Sequence, residues 1–237
     1  MSYEIIIALV TLIALEIILG IDNIIFISIL AGKLPVDQQK KARRVGIILA
    51  AGIRLLLLTA AAWIMRLQED LFTVFGHAIS GKDIILILGG IFLIYKSAKE
   101  IYEKTESEEG PQGLRLNSVS FKNVIGQILL LDIVFSVDSI ITAVGLVDEL
   151  WIMYVAVILS VLIILVAAAP ISNFVNRHPS FKILALCFLL MIGFALLVEG
   201  FEVKIPKGYI YFSMAFALFV DVMQMRLQKK SKGHPIK

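Results

Sequence analysis

The chain has 237 residues, 59% of them hydrophobic and only 17% charged, with a mean hydropathy of +0.92. A soluble domain is about half apolar and a quarter charged, so this composition excludes a water-exposed globule and points to a polytopic α-helical membrane protein. The formal net charge of +3 is too small to suggest nucleic acid, and the single cysteine, Cys187 in "ILALCFLLMIGF", rules out a disulfide within the chain.

The N-terminus, "MSYEIIIALV", lacks a basic leader, and its apolar run continues past signal-peptide length. It predicts a retained first span near residues 5–30. Further runs near the roughly 20 residues that a spanning helix needs follow near 45–65, 83–98, 122–147, 150–169, 182–200 and 208–225, which makes seven spans. The stretch 99–121, "KEIYEKTESEEGPQGLRLNSVSF", is polar with Pro and Gly at its centre and predicts a solvated linker. Lys and Arg set the orientation, because cytoplasmic loops carry the excess. With the N-terminus outside, the inward segments hold the clusters Lys33–Arg44, Lys96–Lys122, Arg177–Lys182 and Arg226–Lys237, while the outward ones hold Arg66, Lys82, Lys204 and Lys207. The C-terminus is then cytoplasmic.

Two stretches repeat. "LEIILGIDNII" (15–25) aligns with "LDIVFSVDSII" (131–141) at a constant offset of 116, so Glu16 maps to Asp132, Asp22 to Asp138 and Asn23 to Ser139. The first copy lies in span 1 and the second in span 4. The second copy lies three spans after the first, an odd step, so it crosses the membrane in the opposite sense. The predicted fold class is therefore all-α: seven transmembrane helices, as two inverted three-helix repeats plus one additional helix. The first repeat covers 1–98, the cytoplasmic linker 99–121, the second, inverted repeat 122–203, and the seventh helix with a cytoplasmic tail 204–237. Transporters built from inverted repeats bind substrate near the midplane, between the halves.

A carboxylate at the centre of a spanning helix costs about 2.5–3.5 kcal/mol on insertion scales. Four of them, Glu16, Asp22, Asp132 and Asp138, need each other, a cation or water. Crowded together they would hold protons when empty, and a divalent cation would displace those protons. The expected ligands are these four carboxylates with the amide oxygen of Asn23 and the hydroxyl of Ser139. Such an oxygen set suits a hard ion, Mg²⁺, Ca²⁺ or Mn²⁺, and His77, His178 and His234 all fall in predicted loops or the tail. Residues six apart on a helix lie about 9 Å apart along its axis and roughly 120° apart around it. Since Gly20 and Ser136 separate the paired acids, a break in each helix near 20–23 and 136–139 is expected. Arg54, within span 2, could neutralise an acid, line a pathway or serve helix packing.

"ALEIILGIDNIIFISIL", "KKARRVG", "GGIFLIYKSAKEI", "LLDIVFSVDSIITAVGL" and the closing "VDVMQMR" resemble the TerC family of integral membrane proteins, in particular its short bacterial YgdQ-like members. The resemblance covers nearly the whole chain. It implies seven spans, a bacterial inner-membrane location and export of a metal ion, with Mn²⁺ as the transported substrate, and it carries Glu16, Asp22, Asn23, Asp132, Asp138 and Ser139 over as site residues. Long relatives append cytoplasmic regulatory domains, which a chain ending at "LQKKSKGHPIK" is expected to lack. The expectation is a proton-coupled, alternating-access exporter. Its partners are membrane lipid, the divalent cation and protons, with no prosthetic group, no nucleic acid and no enzymatic activity. The alternative is a non-transporting assembly or quality-control partner, which would show no cation flux. An intramembrane aspartyl protease lacks its G-x-G-D context, since Leu19-Gly20-Ile21 precede Asp22.

Overall fold

Long aliphatic runs leave the backbone in a bilayer no polar partner but itself, and helices satisfy every N–H and C=O within the segment. The computed structural model describes residues 2–74, 77–106, 120–145, 147, 149–203 and 205–231; a few side chains within these ranges, that of Asp22 among them, lie outside the description. Its elements are α1 (Ser2–Ala31), α2 (Val36–Thr59), α3 (Ala61–Arg66), β1 (Asp70–Val74), β2 (His77–Ser80), α4 (Gly81–Thr105), α5 (Phe121–Val144), α6 (Leu150–Arg177), α7 (Pro179–Glu199) and α8 (Lys207–Ser231). Helix lies over most of each predicted span. Among the described residues four helices, α1, α5, α6 and α7, are long and apolar enough to cross a membrane, and α8 contains a shorter apolar stretch, Gly208–Gln224.

Three boundaries depart from expectation. The second span is not one helix: α2 stops at Thr59, Ala60 caps it, and α3 continues to Arg66. Beyond α3 the chain forms an antiparallel hairpin, with Phe72 opposite Ile79 and Thr73 opposite Ala78, so the described fold is helical with one small two-stranded sheet. The stretch predicted as a linker from 99 begins as helix, because α4 runs on to Thr105; residues 107–119 of that linker lie outside the described residues. The hairpin delivers Ser80 as the N-cap of α4. Asp83 accepts from the Ser80 backbone N–H at 2.9 Å, and the Ser80 hydroxyl accepts from the Asp83 N–H at 3.2 Å. This reciprocal pair fixes where α4 begins.

The most extensive helix pairs are α4–α7, α1–α6 and α2–α5. The α4–α7 crossing depends on glycine. A Cβ on Gly90 would lie 2.7 Å from the Gly193 carbonyl oxygen, and one on Gly193 would lie 3.0 Å from the Ile94 nitrogen. Gly90→Val is therefore expected to destabilise the fold by about 3 kcal/mol, the upper end of ordinary overpacking, because rigid backbone opposes the new atoms. Unfolding of the purified protein by SDS titration measures this.

Two apolar clusters fill the interior. One gathers Ile24, Ile27, Ile47, Ile128, Leu131, Val134 and Ala168 among others. The second gathers Leu12, Leu58, Ile64, Val137, Ile140, Ile152 and Val157. Along α1, α2 and α5 the chain passes from one cluster to the other, and at each changeover it carries a polar residue. Outside, large aliphatic and aromatic residues such as Val10, Leu56, Leu88, Leu162, Val166 and Phe212 are exposed, a surface suited to lipid and not to water.

At the end of the bundle where α1 finishes and α4 finishes, Lys33 ties the α1–α2 turn to Glu100 and, at 3.2 Å, to Glu103. Burial pulls the Lys33 pKa down, but the two glutamates outweigh it and hold the ammonium above its ordinary value. A raised pKa stabilises the fold in full below the unfolded-state value, and the contribution disappears as pH climbs through the folded one. Lys33→Met should therefore lower the melting temperature at neutral pH, with the difference shrinking as pH passes beyond the lysine range.

Candidate functional site

At the changeover between the two apolar clusters, three helices each contribute a charged side chain. Glu16 comes from α1, Arg54 from α2 and Asp132 from α5, exposed by only 6%, 5% and 7%. The Arg54 guanidinium uses all three of its nitrogens. Nη1 donates to Glu16 Oε2, Nη2 donates to Asp132 Oδ1 at 3.2 Å, and Nε donates to the hydroxyl of Ser136 at 3.1 Å. Ser136 in turn donates to Asp132 Oδ2 at 3.1 Å, and the Asn23 amide nitrogen reaches Asp132 Oδ1 at 3.5 Å. Glu16 and Asp132, the two positions related by the repeat, thus meet on one cation. A planar fork suits this bridging where a lysine point charge would not.

Beside the ion cluster lies a cavity of about 30 Å³, bounded by Gly20, Asn23, Ala50, Ala51, Arg54 and Asp132 with aliphatic side chains around them. A water needs about 10–15 Å³ of such space. The cavity therefore has room for an ion or a water or two, and an organic substrate is too large for it.

The remaining residues expected in the site are distributed along the bundle. Asp138 lies further along α5, 7% exposed, with its carboxylate 3.9 Å from the Lys82 ammonium at the start of α4. Lys82 also pairs with Glu199 at the end of α7, at 3.5 Å. This charged layer borders a cavity of about 180 Å³ lined by Gln68, Asp70, Ser80, Lys82, Asp83, Glu199 and Glu202. Ser139 is buried, and its hydroxyl donates to the carbonyl of Ser136 in its own helix at 3.2 Å. The Asp22 side chain lies outside the described residues. Its place in α1 is six residues beyond Glu16, about 9 Å along the axis towards the Lys33 end.

Two expectations need correction. The helices are not broken: α1 runs without interruption from Ser2 to Ala31 and α5 from Phe121 to Val144. Gly20 and Ser136 serve other purposes. A Cβ on Gly20 would lie 2.4 Å from Ile164 Cδ1 on α6, and Ser136 binds Arg54 and Asp132. Nor do the described acids collect in one pocket. Glu16 and Asp132 converge, Asp138 faces Lys82, and no group of three or more His, Cys, Asp or Glu side chains able to hold a metal occurs among the described residues.

Sequence reasoning underused two residues. Ser136 follows Asp132 by four positions, the spacing at which helical side chains meet, and that spacing signals its role. Lys82 entered only as an outward charge; its pairing across α4, α5 and α7 depends on the tertiary fold and leaves no local mark.

Comparison with known proteins identifies the chain as an integral membrane protein. Residues 1–233 match the family described as "Integral membrane protein TerC family". The chain is 52% identical over 224 residues to the "UPF0053 inner membrane protein YgdQ" of Escherichia coli (strain K12), covering 94% of each chain. It is 50% identical over 226 residues to a "UPF0053 protein" of Haemophilus influenzae, covering 95% of each. Over 226 residues it is 46% identical to the "UPF0053 inner membrane protein YoaE" of Escherichia coli (strain K12), spanning 44% of that longer protein. No solved structure matches the chain. A multi-pass helical chain matched over nearly its full length in this way is a member of the TerC family of integral membrane proteins.

Proposed function

We propose that the chain exports a hard divalent cation, Mn²⁺ above all, across the bacterial inner membrane by alternating access. The observation that carries this reading is the meeting of Glu16 and Asp132 on Arg54, with an ion-sized cavity bordered by Asp132, Arg54 and Asn23, between two apolar clusters. Buried carboxylates at a midplane are costly and mark ion pathways, and an apolar cluster packs on either side of this pair.

Helix packing supports the inverted repeat. The offset that maps α1 onto α5 carries α2 onto α6, and in chain order α7 follows α6 as α4 follows α2 and α3. Under that exchange the α1–α6 pair becomes α5–α2, and the α4–α7 pair maps onto itself, and these are the three most extensive pairs. Because α1 and α5 run in opposite senses, the second acid of each copy is displaced to opposite sides of the centre. Asp138 then belongs to the outward layer with Lys82, and Asp22 to the inward one. The cation would pass from Asp22 to the Glu16–Asp132 centre and out past Asp138, with protons as the returning charge. The orientation, N-terminus outside, follows from the Lys and Arg distribution, and the inner-membrane location from the names of the relatives.

Cellular manganese under Mn²⁺ load tests the reading. Expression of the wild type should lower it, and Asp132→Asn should leave it at the level of cells without the protein. Cells whose manganese content is indifferent to the wild type would refute export of this ion.

A further inference from the structure

Arg54 meets a demand that the cargo must also meet. In the structure its Nη1 and Nη2 occupy Glu16 Oε2 and Asp132 Oδ1, the lone pairs a divalent cation would need. Guanidinium and divalent ion cannot both hold these oxygens at close range, because like charges repel strongly in a low-dielectric interior. The cavity of about 30 Å³ that Arg54 itself borders gives an arriving ion somewhere to enter before the exchange is complete.

A comparison of the two repeats shows that packing does not require the arginine. Ser136 is the counterpart of Gly20. On α5, Ser136 is met by Arg54 from α2; on α1, Gly20 is met by Ile164 from α6. At the repeat offset of 116 Arg54 corresponds to Pro170 of α6, so the α1–α6 pair packs extensively with a proline where α2 carries the arginine.

We propose that Arg54 is a tethered competitor of the transported cation: it occupies Glu16 and Asp132 in the empty carrier and must release both for the ion to bind. This deepens the transport reading and rests on it. Two consequences follow. The site binds its cargo more weakly than bare carboxylates would, which lets the ion leave on the far side. A monovalent cation is also rejected, because it offers two carboxylates no more charge than the arginine already does.

Isothermal titration of the purified full chain in detergent with MnCl₂, alongside Mn²⁺ flux in proteoliposomes, separates this from a structural role. Arg54→Gln should bind Mn²⁺ at least tenfold more tightly than wild type, turn over at least tenfold more slowly, and lose affinity in high NaCl where the wild type is indifferent to exchanging NaCl for choline chloride. Arg54→Lys, a single point charge that holds one acid at a time, should bind several-fold more tightly and keep partial flux. If Arg54→Gln does not fold, Arg54→Lys decides the matter alone. A folded variant that binds Mn²⁺ as weakly as wild type, or more weakly, overturns the tethered-competitor role while the wild-type binding leaves the transport reading standing. A wild type that binds neither Mn²⁺, Mg²⁺ nor Ca²⁺ overturns both.

Discussion

Asp132→Leu should unfold the chain more readily than any single substitution at the surface, by about 3–5 kcal/mol, because it removes one partner of a fully buried charge network. Asp132 accepts from Arg54, Ser136 and Asn23, so its loss leaves the guanidinium with Glu16 as the one carboxylate it bonds and the Ser136 hydroxyl without its acceptor. The triple change Glu16→Leu/Arg54→Leu/Asp132→Leu should behave in the opposite way. Removing all three charges leaves nothing buried and unpaired, and apolar replacements of buried ion triads are often neutral or stabilising. The triple variant is expected to match or exceed wild-type resistance to SDS and to carry no cation. A network retained only for stability would instead leave flux intact in the triple variant. Measuring unfolding and flux on the same preparations therefore separates what the charges do for the fold from what they do for transport.

Asp138→Asn is expected to reduce manganese efflux at least tenfold with little effect on folding. Asp138 is the acid between the central layer and the cavity bordered by Lys82 and Glu199. Its amide would still fill the same volume, and Lys82 keeps Glu199 as a partner. The loss falls on the outward step, since an amide lacks the charge to draw a divalent ion away from the centre. Cellular manganese under load should stay at the level of cells without the protein, and Asp138→Glu should recover part of the difference. Equal clearance by Asp138→Asn and wild type would remove Asp138 from the pathway.

The helical architecture was legible because the information is local. Helix lies over most of every predicted span, although the second is divided between α2 and α3, and among the described residues four helices, α1, α5, α6 and α7, are long and apolar enough to cross a membrane. The duplicated acids were legible for a different reason: the constant offset of 116 is a property of the string itself. What could not be read was which charges meet. Arg54 lies in "AAGIRLLLLTAAAW", where nothing local distinguishes a counter-ion from a packing residue, and only the convergence of α1, α2 and α5 decides the matter. The predicted helix breaks failed on an ambiguity of small residues. Gly20 and Ser136 permit an unwound turn, and they equally permit close contact and an intrahelical hydrogen bond, as seen with Ile164 and Asp132. The hairpin from Asp70 to Ser80 was missed because it is short and lies between two stronger helical signals.

Proteoliposome flux across an imposed pH gradient tests the central claim, that two repeat-related acids hold a divalent cation at mid-membrane. The account predicts saturable Mn²⁺ movement driven by the proton gradient, inhibited by Ca²⁺ or Mg²⁺ at higher concentration, and absent for Glu16→Gln and Asp132→Asn protein that remains folded. Mn²⁺ movement no faster than in protein-free vesicles, or undiminished in both variants, would contradict it.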